Sequence, residues 1–188
     1  MLFRSFLVSN DGIHFREPIA DHAFLRAGAD HEWDARGLIH GQGFENVGDQ
    51  TYLYYGAWDV SGSGLGTSGV GLATLPRDRF AFLSLRDPGD AFFTSEPLAN
   101  SAPRTLALNA DGLSERAVLR VELIDKNGTP ITGYSGAAAA VVTTSGLKTT
   151  VAWPGGERIT CPNAALRVRV QLAGADAAKI KFYAAYLE

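Results

Sequence analysis

Alternation of apolar and polar residues, the pattern of a half-buried β-strand, recurs along most of this chain. It is clearest in residues 166–172, where Leu and Val alternate with Arg and Gln. Because successive side chains of a strand point to opposite faces, the Leu and Val residues are expected to face a core and the Arg and Gln residues to face water. The pattern predicts an all-β protein.

The central stretch of the chain predicts three consecutive strands, at residues 42–47, 51–58 and 70–75. A Gly48-Asp49-Gln50 turn separates the first two, because glycine adopts positive φ without steric cost and Asp can bond its own backbone. A loop rich in Ser and Gly precedes the third strand. Three meandering strands cannot bury both faces of their sheet, so we expect this sheet to need neighbours.

The beginning of the chain predicts a hairpin, with strands at 6–9 and 13–16 around an Asn10-Asp11-Gly12 turn. A lone hairpin is marginal in water, so these strands are expected to belong to a larger sheet. Residues 1–5, Met-Leu-Phe-Arg-Ser, are what the tail of a common short-read sequencing adapter would encode. We therefore expect these five positions to be a sequencing artefact on a chain truncated at its 5′ end.

A second set of short strands is predicted after the turn-rich residues 86–90, which suggest a domain boundary. Short strands at regular spacing, separated by turns, favour a β-sandwich. The Asp125-Lys126-Asn127-Gly128 turn predicts a type I′ hairpin, because Asn-Gly suits that turn. The predicted strands are 92–98, 105–109, 118–124, 130–133, 137–142, 148–153, 166–172 and 180–187.

Composition narrows the possible functions. The 188 residues carry a net charge of −3, and the Lys and Arg side chains are scattered along predicted strands, so no nucleic-acid partner is expected. No apolar run is long enough to suggest a membrane partner. Cys161 is the only cysteine, which excludes an internal disulfide and a cluster of thiolate metal ligands. No cofactor and no metal are predicted.

Four segments together resemble a known family. They are SNDGIHF at 9–15, EWD at 32–34, GQGFENVGDQTYLYYGAWD at 41–59 and GVGLATLPRDRF at 69–80. The set resembles the closing blade of the five-bladed β-propellers of glycoside hydrolase families 32 and 43 and their uncharacterised relatives. The segments LRVELIDKNGTPITGYS and LRVRVQLAGADAAKIKFYAAYLE resemble the β-sandwich that follows such propellers.

The resemblance implies a partial β-propeller over residues 6–85 and a C-terminal β-sandwich over residues 86–188. Residues 6–18 would be outer strands of the fourth blade, and residues 41–85 most of the fifth. It implies a parent protein that hydrolyses glycosidic bonds of a carbohydrate substrate with a pair of carboxyl groups. In the family these acids lie in earlier blades, so no catalytic residue is assigned here and the chain alone is expected to be inactive. Its partners would be the sugar and the missing upstream blades.

Five residues are candidates for contact with that sugar. Gln42 and Glu45 lie on the strand expected to be innermost, and Glu45 could equally pair with a neighbouring Arg or cap a strand end. Trp33 could offer an apolar face to a pyranose ring, with His31 and Asp34 beside it, or it could be a packed loop residue whose neighbour Asp34 bonds turn amides. Asp30, His31 and Asp34 do not make a convincing metal site, because nothing fixes their geometry.

A second class of function stays open. The chain could be a non-catalytic carbohydrate-binding or adhesion module that carries a closing blade. The two hypotheses predict different sequence upstream. The enzyme requires acidic residues on the inner strands of earlier blades, whereas the module would be preceded by another type of domain.

Overall fold

The computed structural model describes residues 3–4, 6–29, 32–35, 37–58, 68–86, 91–100, 103–162 and 164–188. Within these ranges the regular structure is β-strand, apart from two 3-10 helices at Gly136–Ala138 and Ala177–Lys179. None of the described helices is long and apolar enough to cross a membrane. The prediction of an all-β protein is confirmed. Contacts divide the chain into unit 1, Met1–Leu75, and unit 2, Pro76–Glu188.

Unit 1 is built on a three-stranded sheet in the order β3-β4-β5. The meander predicted from the sequence is confirmed, with β3 beginning several residues earlier than expected. An irregularity in the β3–β4 pairing falls between His40 and Phe44. A separate two-stranded sheet pairs β1 with β2. The strands of this unit are β1 (Phe3–Arg4), β2 (Leu25–Arg26), β3 (Gly37–Val47), β4 (Gln50–Trp58) and β5 (Gly69–Pro76).

The hairpin predicted at 6–9 and 13–16 is wrong as a pair of strands. The described structure has a single antiparallel bridge, in which Val8 and Arg16 exchange both backbone hydrogen bonds at 2.9 Å. The turn between them is closed by side chains: Asp11 Oδ1 accepts from the amides of Ile13 and His14, at 2.9 and 2.8 Å. Such local side-chain bonds compete with a ladder for the same amides, which shortens the hairpin.

Unit 2 contains nine strands among its described residues and two sheets. One sheet has the order β10-β9-β13-β6, with β7 also paired to β13; the other has the order β11-β8-β12, with β14 also paired to β8. All of these pairings are antiparallel. The strands are β6 (Ala91–Thr94), β7 (Leu98–Ala99), β8 (Arg104–Asp111), β9 (Val118–Asp125), β10 (Ala140–Val142), β11 (Gly146–Thr150), β12 (Arg158–Ile159), β13 (Ala165–Ala173) and β14 (Lys181–Leu187).

Both sheets of unit 2 contribute to one hydrophobic core. The alternation predicted for residues 166–172 is confirmed: the Leu and Val residues are buried, and the Arg and Gln residues are half-buried. Trp153 and Ile180 also lie in this core, outside the regular strands. The core includes Leu106 and Leu108 on β8, Leu119, Val121 and Leu123 on β9, and Leu166, Val168, Val170 and Leu172 on β13.

A polar network attaches the segment after β5 to the other side of β8. Asn109 is fully buried; its side-chain amide donates to the Arg77 carbonyl at 2.7 Å and its oxygen accepts from Arg79 Nε at 3.1 Å. The Leu83 and Phe182 backbones exchange two hydrogen bonds. Residues 76–85 therefore belong to unit 2 by contact, whereas the predicted domain boundary lies between residues 85 and 86.

Two further predictions within unit 2 are wrong. The turn at Asp125 is not type I′, because Gly128 has φ of 92° while Asn127 has no positive φ. Instead, Asp125 Oδ1 accepts from the amides of Asn127 and Thr129, both at 2.8 Å, and Gly128 supplies the left-handed residue of a three-residue loop. Residues 130–133 form no strand but one bridge, Ile124 to Pro130, followed by a turn.

Candidate functional site

The loop that carries Trp33 and Asp34 is held by its own hydrogen bonds. The Gly28 amide donates to the Asp34 carbonyl at 3.2 Å, and the Ala35 amide donates to the Glu32 carbonyl at 3.2 Å. Glu32 Oε2 in turn accepts from the Ala29 amide at 2.7 Å. These bonds fix the described part of the loop as a turn, so Trp33 and Asp34 have defined positions.

Trp33 lies on a platform formed by Tyr55 and two glycines of β5. Its ring is stacked on the Tyr55 ring, with centroids 5.8 Å apart and planes 21° apart. A Cβ atom at Gly69 would come within 2.9 Å of the Trp33 ring, and one at Gly71 within 2.3 Å of the Tyr55 ring. Glycine is required at both positions because aromatic rings occupy the space of a side chain. Trp33 keeps 40 % of its surface exposed.

Asp34 fixes the ring under Trp33. Its Oδ2 atom accepts a hydrogen bond from the Tyr55 hydroxyl at 2.8 Å. Burial and, next, this hydrogen bond to a carboxylate raise the pKa of Tyr55 above its ordinary value of 10.0. Tyr55 is therefore a neutral donor that holds its ring beneath Trp33. Asp34 bonds a side chain of β4 through this contact, and its bonding to turn amides stays a prediction.

Two carboxylates of the loop converge on Gly28. Asp34 Oδ1 and Glu32 Oε2 both lie within 2.4 Å of the position that a Gly28 Cβ atom would occupy. Within the described ranges, His, Cys, Asp and Glu residues nowhere form a group of three or more that could hold a metal ion. Glu32 Oε2 accepts from the Ala29 amide, and Asp34 accepts from the Tyr55 hydroxyl through its other oxygen, so both carboxylates help to hold the loop in place.

Glu45 does not join this group. It is paired with Tyr52 across β3 and β4, and Tyr52 is an odd number of residues from Tyr55. Residues an odd number apart on a strand point to opposite faces, so Glu45 is on the face away from Trp33. Its side chain is exposed.

The other two candidates can be placed only in part. Gln42 lies on β3, as predicted, and its side chain is outside the described structure; His31 is outside the described residues altogether. The structure therefore brings together Trp33 and Asp34 of the five predicted residues, and it adds Tyr55, Gly69 and Gly71, which the sequence analysis had not assigned to a site.

The face of the sheet that carries Glu45 is apolar and exposed. Val70 and Leu72 on β5 flank Gly71, which faces Tyr55, so both point to the opposite side. Tyr54 and Trp58 share that side, as does Ile39, which pairs with Gly56. Their exposed fractions are 43 % for Ile39, 50 % for Tyr54, 61 % for Trp58, 79 % for Val70 and 45 % for Leu72.

Unit 1 thus presents a partly exposed indole, that of Trp33, whose ring is held in place by stacking on Tyr55. An indole fixed in this way can stack on the apolar face of a sugar ring, because an aromatic surface that is already ordered loses little conformational entropy on binding. Binding through the Trp33 ring is the chemistry that this arrangement supports.

Comparison with known proteins adds no relative. No protein-family model, no curated protein and no solved structure matches this chain. Its function has to be argued from its own residues and contacts.

Proposed function

We propose that this chain is the C-terminal part of a glycoside hydrolase-like protein. In this proposal the β3-β4-β5 sheet belongs to the closing blade of a five-bladed propeller, and the two sheets of unit 2 form the β-sandwich that follows it. The catalytic carboxylates are supplied by blades upstream of residue 6, and the chain alone is inactive. The role of these residues is to complete the ring of blades and to contact the sugar through Trp33.

The observation that carries the proposal is the exposed apolar face of the meander. A sheet with Tyr54, Trp58 and Val70 on one side is energetically incomplete, since burying each such side chain is worth about 1.5–3 kcal/mol. Large exposed apolar patches mark surfaces that bind other protein. In a propeller this face would be covered by the sheet of the adjacent blade.

Recovering the coding sequence upstream of residue 6 tests the proposal directly. The expected result is sequence for further four-stranded blades, with Asp, Asp and Glu on inner strands. The full-length protein should then hydrolyse a glycoside, and an Asp→Asn change at the nucleophile or base should abolish turnover. A different domain type upstream, or full-length protein without glycosidase activity, would contradict it.

The role of Trp33 is tested in that same full-length protein. Trp33→Ala should raise KM about two- to tenfold with kcat little changed, because stacking on an aromatic ring contributes about 0.5–1.5 kcal/mol. Phe92→Ala, which removes an exposed aromatic side chain from β6 of unit 2, is the matched control and should leave KM unchanged. Equal effects of the two substitutions would contradict a sugar contact at Trp33.

The isolated chain offers a simpler experiment. With its apolar face uncovered, the chain should self-associate at micromolar concentration in light scattering. The double substitution Val70→Thr and Leu72→Thr places polar, β-branched side chains that suit strands at both positions and should reduce the association. A monodisperse monomer of the unsubstituted chain would count against the missing-blade explanation.

The alternative, a non-catalytic carbohydrate-binding or adhesion module, is favoured by one observation. Unit 2 has a core of its own, to which both of its sheets contribute. Such a unit can act in binding without a catalytic neighbour. The upstream sequence separates the two functions, because only the enzyme requires blades that carry acids.

A further inference from the structure

Unit 2 contains a cleft to which the proposed function assigns no role. Two cavities of about 520 and 220 Å³ lie between the 125–134 hairpin and residues 160–162 and 164–165. Asp125 lines both cavities. The larger volume is within the range of roughly 300–1,000 Å³ that is typical of sites for small ligands.

The polar groups of the cleft are held in place before any ligand binds. Asp125 Oδ1 accepts from the Asn127 and Thr129 amides, both at 2.8 Å. The Tyr134 hydroxyl accepts from the Thr160 amide at 2.8 Å and lies 3.2 Å from Thr160 Oγ1. The Tyr134 ring packs edge-on against the buried Trp153, with centroids 5.3 Å apart. Binding to groups that are already fixed costs little ordering entropy.

The lining combines hydroxyl groups with small apolar surfaces. Thr129, Thr132 and Thr160 supply hydroxyls, and Pro130 and Pro162 supply the apolar part. A sugar residue has the complementary chemistry, with hydroxyl groups around its edge and C–H groups on its faces. The backbone hydrogen bond from Thr129, above all, lowers the pKa of Asp125 below 3.8, so the cleft carries a negative charge at neutral pH. That charge disfavours uronic acids and other anionic sugars.

We propose that this cleft binds a short stretch of a neutral glycan, with Asp125 accepting hydrogen bonds from its hydroxyl groups and the Thr132 hydroxyl donating to them or accepting from them. The choice of a glycan rests on the proposed function, while the cleft and its lining do not. Unit 2 would then hold the polysaccharide on which the parent enzyme acts. The two ideas fail separately, because upstream sequence without catalytic blades would leave binding at this cleft unchanged.

Cys161 gives a reporter at the edge of this cleft, since it lines the larger cavity, packs against the core of unit 2 and is the only cysteine in the chain. The rate of its alkylation by N-ethylmaleimide is measured on the full chain with and without xylotetraose, maltotetraose and an inulin-derived fructo-oligosaccharide. At least one of these neutral oligosaccharides should slow alkylation about fivefold or more at about 10 mM, well above a millimolar Kd. Tetragalacturonate and glycerol should not slow it.

Substitutions then place the ligand. Thr132→Val removes one hydroxyl at nearly constant volume and should weaken protection about two- to tenfold, the value of one hydrogen bond. Thr150→Val, on the exposed part of β11 away from the cleft, is the matched control and should change nothing. Loss of protection in both variants, or in neither, would overturn the assignment.

The proposal is also overturned if no neutral oligosaccharide slows alkylation at these concentrations, or if glycerol or tetragalacturonate slows it equally. Should the reagent fail to reach Cys161, the amide chemical shifts of Thr132 and Thr160 are followed by NMR in the same titrations. Shifts that saturate with a neutral oligosaccharide support the cleft, and their absence overturns it.

Discussion

The two units of this chain use the same kind of strand and reach opposite results. In unit 2 alternate side chains of two sheets meet in one core, and residues such as Leu106 and Val121 have no exposed surface. In the described part of unit 1, the buried apolar side chains are Leu38 and Ala57. Tyr54, Trp58 and Val70 of the same sheet face outward. β-Strand propensity therefore forms the sheet in both units, and only unit 2 supplies a partner for it.

The difference also appears in how each unit covers the second face of its sheet. In unit 2 the residues after β5 cover β8 and satisfy Asn109, which no solvent reaches. In unit 1 the loop that carries Trp33 covers part of one face, and among the described residues the apolar side chains of the other face are exposed. A buried polar group such as Asn109 is tolerated because its partners are present.

The largest contrast should come from removing core volume. Leu108→Ala, at a site with 1 % exposure on β8, should lower the free energy of unfolding of unit 2 by about 2–5 kcal/mol because it leaves a cavity. Val70→Ala, with 79 % exposure, should change the free energy of unfolding of unit 1 by less than about 0.5 kcal/mol. Denaturant unfolding is followed by the fluorescence of the buried Trp153 for unit 2, and by that of Trp33 and Trp58 for unit 1 in a Trp153→Phe background. Similar effects of the two changes would mean that the cores are not as different as described.

The second largest effect should come from disrupting the hydrogen bonds of Asn109 on β8. Asn109→Leu keeps a similar volume and leaves the Arg77 carbonyl and Arg79 Nε without their bonds to this side chain. We expect a loss of about 1–3 kcal/mol, the cost of unpaired buried polar groups. Asn127→Ala in the exposed hairpin is the control, and the same unfolding experiment should show a change within about 0.5 kcal/mol. An Asn109 variant as stable as the parent would show that the network is dispensable.

Alanine substitutions at two glycines test the packing of Tyr55 and Trp33 in unit 1. Gly71→Ala should displace the Tyr55 ring, which lies within 2.3 Å of the new Cβ position, at a cost of about 1–3 kcal/mol for overpacking. Gly43→Ala on β3 is the matched control, because nothing lies within 4 Å of its Cβ position. Near-UV circular dichroism and protease cleavage of the 28–35 loop report the displacement. Equal behaviour of the two alanine variants would contradict the stacked arrangement.

The smallest effect concerns a type of hydrogen bond that occurs in each unit, in which a tyrosine hydroxyl donates to an aspartate carboxylate. Tyr186 donates to Asp78 at 2.6 Å in unit 2, as Tyr55 donates to Asp34 in unit 1. Burial first and then this hydrogen bond raise the pKa of Tyr186 above 10.0. Because the folded pKa exceeds the unfolded one, the stabilisation is complete below pH 10 and is lost as the pH rises through the folded pKa.

Tyr186→Phe should therefore make the stability of unit 2 fall less steeply above pH 10 than in the unsubstituted chain. Tyr55→Phe, in the other unit, should leave that slope unchanged. Urea unfolding read by Trp153 below and above pH 10 measures the slopes. Identical slopes for the Tyr186 variant and the parent would contradict the assigned bond.

The alternation of apolar and polar residues was enough to predict the long strands. It failed where a side chain, and not a neighbouring strand, accepts hydrogen bonds from the backbone amides. The strands at 42–47, 51–58 and 166–172 are found because alternation and a flanking turn agree. The two-residue strand β12, Arg158–Ile159, was not predicted, since two residues have no period to detect. The hairpin around Asp11 and the turn at Asn127 were mispredicted because one carboxylate in each takes backbone amides.

The candidate site, like the fold, could be predicted from the sequence only in part. Trp33 and Asp34 stand out as an aromatic residue and a carboxylate in a long connection, a type of segment that often carries function. Tyr55 and Gly71 could not be found in the same way, because their roles depend on the register of β4 against β5. A Gly-Val-Gly sequence in a strand opposite aromatic residues is the one signal that could have indicated rings packed over glycine.

The unequal completeness of the two units is tested most directly by hydrogen–deuterium exchange on the full chain, read by mass spectrometry. Amides of β8, β9 and β13 should exchange only on global unfolding of unit 2, whereas amides of β3 and β5 should exchange through far more frequent local opening. Added upstream blades should slow exchange in β3–β5 selectively. Equal protection of the two units in the isolated chain would show that unit 1 is already complete and would contradict the account.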